Sequence, residues 1–94
     1  MKWLEIIELR SVSRNQELLE SQLQRLVNKV DNEANEQAIK AYSRVMRDTN
    51  FSLHLYHDSE LIEFGGSLLG LRITSSLKEF GLVNHTIWIE MLNT

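Results

Sequence analysis

The hydrophobic positions of the chain switch between a period of two and a period near 3.6, and these switches outline its elements. Residues 3–12, WLEIIELRSV, are rich in Trp, Ile and Leu with imperfect alternation, which predicts a strand. Ser13 stands three positions before Gln16, the spacing of a capping box, in which each side chain bonds the other's backbone N–H. Beyond it Leu19, Leu23, Leu26, Val27 and Val30 fall on one helical stripe, while Glu20, Gln24 and Lys29 turn elsewhere. The polar run 31–37, DNEANEQ, reads as a loop.

Residues 38–47, AIKAYSRVMR, fit two periods. Alternation sets Ile39, Ala41 and Val45 against Lys40, Tyr42, Arg44 and Met46, whereas a helix would group Ala38, Tyr42, Val45 and Met46. The strand is preferred, because Asp48-Thr49-Asn50 reads as a hairpin turn into a clear strand over 51–57. There Phe51, Leu53 and Leu55 alternate with Ser52, His54 and Tyr56. Residues 58–66 form a connection ending in Gly65-Gly66. Ser67 can cap a helix with apolar positions Leu69, Ile73, Leu77 and Phe80, with Lys78 in its last turn and Gly81 at its C′ position. Over 82–92 Val83, His85, Ile87, Ile89 and Met91 alternate with Asn84, Thr86, Trp88 and Glu90, a last strand.

The order strand, helix, strand, strand, helix, strand is the split βαβ, or ferredoxin-like, pattern. Right-handed crossovers then give an α+β fold, a four-stranded antiparallel sheet with both helices on one face. Residues 1–94 are expected to form one such domain, a length at which a single core is feasible but thin.

Composition narrows the function classes. The chain has no cysteine, which removes disulfides, thiolate catalysis and cysteine-ligated metal centres and fits a reducing, cytoplasmic setting. No apolar run approaches the roughly 18 residues of a membrane span. Glu5 and Glu8 interrupt the apolar N-terminal stretch, so it is read as mature protein rather than a signal peptide. The formal net charge is −3 and the ten Lys and Arg residues are scattered, which argues against a nucleic-acid partner.

The stretch FSLHLYHDSELIEFGGSLLGL, residues 51–71, raises three chemical questions. His54 and His57, three apart on a strand, point to opposite faces, so no shared metal site is expected, and His57 is placed at the strand's end near solvent. Gly65-Gly66-Ser67 could turn free N–H groups toward an anion, but it lacks the lysine of a P-loop and the spacing of a dinucleotide turn. Paired glycines at such a place also answer a plain backbone need. Asp58, Glu60 and Glu63 read as a solvated acidic loop.

If Phe51, Leu53, Leu55, Ile87 and Ile89 face the helices, the opposite face collects Tyr42, Arg44, His54, Tyr56, Asn84, Thr86 and Trp88, with Trp3 or its neighbours. Such a face can stack nucleic acid, line a ligand cavity or form a dimer interface; FSLHLYHD lacks the glycine and basic residue of an RNA-binding strand. The candidate ligand-binding residues are Tyr42, His54, Tyr56, Asn84 and Trp88. His54 is the candidate for proton transfer, since imidazole titrates near neutral pH. His85 alternates with Ile87 and Ile89 and is expected to face the helices.

The element order, the length and the amphipathic sheet face resemble the dimeric α/β-barrel proteins, and more narrowly the antibiotic-biosynthesis-monooxygenase-type domains. Residues 66–88, GSLLGLRITSSLKEFGLVNHTIW, are similar to the second helix and last strand of such a domain. The resemblance implies a homodimer through the open sheet face. It also implies a small apolar or aromatic ligand, and either monooxygenase-like chemistry without a cofactor or a non-catalytic regulatory or assembly role. No family residue role transfers position by position.

Overall fold

The structure, a computed structural model, describes residues 1–12, 16–33 and 38–91. Its elements run β1 (Lys2–Ser11), α1 (Gln16–Glu33), β2 (Ala38–Arg44), β3 (Arg47–Asp58), α2 (Leu68–Leu77) and β4 (Gly81–Ile89). The four strands form one antiparallel sheet in the order β2-β3-β1-β4, the ferredoxin-like α+β arrangement. The capping box expected at Ser13 lies outside the described residues. Helix α1 continues through Asp31–Glu33, where a loop was expected, and 34–37 lie outside the described residues.

Strand β1 sits between β3 and β4 and is apolar on both sides. Trp3, Ile7 and Leu9 are buried toward the helices, while Leu4 and Ile6 are half-buried on the other side. This explains the imperfect alternation of the sequence, and it decides between the alternatives left open for the open face: Trp3 faces the helices, and its neighbour Leu4 joins the open face. One apolar cluster joins Ile7 and Leu9 to Leu53, Leu55, Phe51 and Ile39 from the sheet, Leu19 and Leu23 from α1, and Ile73 and Leu77 from α2. Both helices therefore cover the same face. Ile87 is only half-buried and Ile89 is 48% exposed, so the end of β4 contributes less core than its alternation suggests.

The β2–β3 hairpin turns at Val45–Met46, earlier than the expected Asp48-Thr49-Asn50, which lie within β3. The reason is register. The pairing of Ile39 with Leu55, both buried, would centre the reversal on residue 47; a register shift between Ser43 and Arg44 then sets Arg44 opposite Arg47 and leaves only two residues in the turn. Met46 accepts a left-handed φ of 64° to do so.

Helix α2 ends at Leu77 with Lys78 as its C-cap, so Gly81 is not the expected C′ residue. It opens β4 instead, pressed so closely on the Arg10 carbonyl that a Cβ would collide with it. At the other end Ser67 is the N-cap, as expected, and its hydroxyl accepts the Gly70 N–H at 3.0 Å.

Candidate functional site

The helix face of the sheet holds a polar cluster that the alternation rule hides. Glu5, on the central strand, is fully buried. Its Oε1 accepts the Ser67 backbone N–H at 2.9 Å and lies 2.9 Å from His85 Nε2. Its Oε2 accepts the Ser67 hydroxyl at 2.5 Å and lies 2.6 Å from His57 Nε2. Burial pushes the Glu5 pKa up most strongly, but the bonds from Ser67, His57 and His85 together outweigh it and hold the carboxyl below its ordinary value. Glu5 is thus an ionised, acceptor-only group. That assigns donor N–H groups to Nε2 of both histidines.

This cluster answers the question of the paired glycines. The Ser67 N–H does meet an anion, and the anion is the chain's own Glu5. Gly66 adopts a φ of 100°, and a Cβ there would strike the His85 ring. A Cβ on Gly70 would strike the Glu5 carboxylate. Near solvent was the expected place for His57; it is instead buried, stacked on Trp3 with ring centroids 4.0 Å apart. The reason is parity: His57 continues the inward series Phe51, Leu53, Leu55. His85 faces the helices as expected.

The cluster is not a hydrolytic triad, because the Ser67 proton goes to Glu5 rather than to a histidine. Nor is it a chelate. His57 stands opposite Trp3 and His85 opposite Ile7, so the rings approach Glu5 from opposite directions along the sheet, each to its own oxygen. Among the described residues no group of three or more His, Asp or Glu is arranged to hold a metal ion. What the cluster does is join β1, β3, β4 and the start of α2 through one carboxylate.

The open face carries Tyr42, His54, Tyr56, Asn84 and Trp88 together. Register ranks them in rows: Tyr42, Ser52, Glu8 and Asn84; then Lys40, His54, Ile6 and Thr86; then Tyr56, Leu4 and Trp88. His54 and His57 do lie on opposite faces. Two clefts divide this face. One, about 580 Å³, holds Tyr42, His54 and Asn84 with Glu8, Arg10 and Arg44. The other, about 460 Å³, holds Tyr56 and Trp88 with Lys2, Asp58 and Glu90. The five candidates therefore share a face but not a cleft.

His54 is half-buried, its Nε2 2.6 Å from Ser52 Oγ and its ring 4.7 Å from that of Tyr42. Burial lowers its pKa, and the opposing pull of Glu8 only partly restores it, so the ring is neutral at pH 7. The neighbouring Tyr42 hydroxyl, aided by burial, raises the Tyr56 pKa and keeps its hydroxyl protonated. Trp88 donates its indole N–H to Thr86 Oγ1 at 2.8 Å while 55% of the residue stays exposed. No helix of the described residues is long and apolar enough to cross a membrane.

No family model matches the chain, and no curated protein matches it. The solved structure of Rv0793 from Mycobacterium tuberculosis superposes with a TM-score of 0.71, covering 99% of this chain and 98% of that one at 14% identity. At that identity the likeness speaks for the fold, and it agrees with the strand order in making the chain a ferredoxin-like α+β domain.

Proposed function

We propose that the chain is a homodimeric small-ligand-binding domain of the antibiotic-biosynthesis-monooxygenase type that its sequence resembles. Its ligand is a small apolar or aromatic compound held on the open face. The observation that carries this reading is the 580 Å³ cleft in which a neutral His54 lies beside the Tyr42 ring. That volume suits a small organic molecule. The cleft is open on one side, and a second sheet laid against it would close it. Large aromatic surfaces left in water are unusual unless a partner covers them.

In this reading His54 is the proton acceptor, because a neutral imidazole can take a proton from a bound phenol or acidic C–H at neutral pH. Tyr42 and Asn84 position the ligand, and Tyr56 and Trp88 line the neighbouring cleft. Monooxygenase-like turnover without a cofactor would start from the anion so formed. A second reading, a non-catalytic dimeric regulatory or assembly module, is favoured by the pairing of Trp88 with Thr86 and of His54 with Ser52. Polar side chains satisfied within their own sheet, as these two pairs are, are suited to burial against another sheet.

Light scattering coupled to size exclusion, with mass spectrometry of co-purified compounds, tests both. A dimer carrying a bound aromatic compound that His54→Ala releases supports the first reading. A dimer with neither bound compound nor response to that substitution leaves the second. A monomer near 11 kDa overturns both.

A further inference from the structure

The two clefts of the open face differ in charge. The larger is lined by Arg10 and Arg44 against one acid, Glu8; the smaller by Lys2 against Asp58 and Glu90. Among the described residues neither arginine lies within 4.0 Å of a carboxylate, whereas Asp58 is paired with the N-terminal ammonium at 3.5 Å. Arg10 stands opposite Asn50 and Leu82, in a row one step beyond that of Glu8, and two rows from His54. The larger cleft is therefore polarised, with unpaired guanidinium groups at one end, a neutral imidazole toward the other, and Ile6, Tyr42 and Leu82 among its apolar lining.

We infer that this cleft takes a small aromatic acid, its carboxylate or sulfonate held by Arg10 and Arg44 and its apolar body laid on Ile6, Tyr42 and Leu82 toward His54. The inference rests on the ligand-binding reading above and narrows its ligand class. Guanidinium donors match a carboxylate in geometry as well as charge. Glu8 sets the orientation, since it repels the acid group from the middle of the cleft and leaves the end row of Arg10 as its favourable position. The smaller cleft, with two acids to one lysine, does not offer an anion such a place.

The test compares two fluorescent probes, 8-anilinonaphthalene-1-sulfonate and N-phenyl-1-naphthylamine, which share one aromatic body and differ by the sulfonate. The sulfonate is expected to bind at least about tenfold more tightly. Arg10→Ala or Arg44→Ala should lower its affinity by about tenfold and leave the uncharged probe unaffected. Lys29→Ala, an equal charge change on α1, should leave both affinities unchanged. Equal affinities for the two probes, or a sulfonate affinity that neither arginine substitution alters, overturn the inference while leaving the ligand-binding reading intact. If neither probe binds, both fall. If the arginine variants lose the dimer by light scattering, the arginines belong to the subunit contact, and the inference falls.

Discussion

Replacing Glu5 by Gln keeps the shape of the side chain and removes its charge, and this should be among the more damaging conservative changes in the protein. Four donors converge on the carboxylate: the Ser67 N–H, the Ser67 hydroxyl and the Nε2–H groups of His57 and His85. A glutamine oxygen can keep two of them. Those two fall from charge-assisted to neutral bonds, a loss of about 1 kcal/mol each. The amide NH₂ then meets the other pair, donor against donor, until a histidine changes tautomer or the hydroxyl turns away from Gly70; that adds about 1–2 kcal/mol. Relief from burying a charge returns part of the loss. The net expectation is a destabilisation of about 2–3 kcal/mol at neutral pH. Urea unfolding should therefore show a midpoint lower by about 1–2 M with an unchanged slope. Glu8→Gln, on the same strand but the open face, should be indistinguishable from wild type. The sign with pH is fixed by the direction of the shift. The folded pKa of Glu5 lies below its ordinary 4.5, so its contribution is complete above that pH and is lost as pH falls through the folded value. The wild-type and Gln curves should converge in acid. A Gln variant within 0.5 kcal/mol of wild type at pH 7 by this assay, on the scale of an ordinary surface change, would refute the reasoning.

Other expectations follow from the same contacts. Gly70→Ala should lower the melting temperature, because the collision with Glu5 outweighs the roughly 1 kcal/mol that alanine offers a helix over glycine. Leu55→Ala should cost about 2–5 kcal/mol in denaturant unfolding, and Ile87→Ala clearly less, since Leu55 is fully buried and Ile87 is not. His54→Ala should leave the unfolding midpoint nearly unchanged while weakening ligand binding; a loss of stability as large as that of Leu55→Ala would make His54 structural. Melting curves with and without a chelator should coincide, because the histidines that meet Glu5 are held by hydrogen bonds.

Much of the fold was legible because strands and helices leave different periods, and because parity assigns faces without knowing which strands are neighbours. Tyr42, His54, Tyr56, Asn84 and Trp88 share a face for that reason alone. Parity could not tell how strand order divides them between two clefts. It could not choose where both sides of a strand are apolar: in β1 the series Trp3, Ile7 and Leu9 competes with Leu4 and Ile6, so parity left open whether Trp3 or its neighbours join the open face. The hairpin was misplaced because Asp48-Thr49-Asn50 has good turn chemistry, while the cross-strand register and its shift between Ser43 and Arg44, which together set the reversal, leave no mark in the alternation. The Glu5 cluster was hardest, since its four members come from four elements. Yet each leaves a trace: Glu5, His57 and His85 all sit at inward positions of otherwise apolar series, and Ser67 follows the only paired glycines in the chain.

A polar group at an inward strand position is worth keeping only if partners arrive from other elements, and this makes the Glu5 cluster a test of correct assembly as much as a source of stability. Helix α2 cannot dock with its first turn displaced, because Glu5 would lose both bonds from Ser67 and remain a buried charge. A one-residue slip of β3 or β4 would turn His57 or His85 to the open face and orphan an oxygen in the same way. Helix α1, by contrast, joins the core through Leu19 and Leu23 and brings no partner to the cluster. Apolar contact of this kind tolerates small shifts better than hydrogen bonds to a buried charge do. The arrangement thus fixes most tightly the three strands β3, β1 and β4. Those strands carry His54, Glu8, Arg10 and Asn84 on their other side, so a charge locked on the buried face holds the open face in the register that its cleft requires.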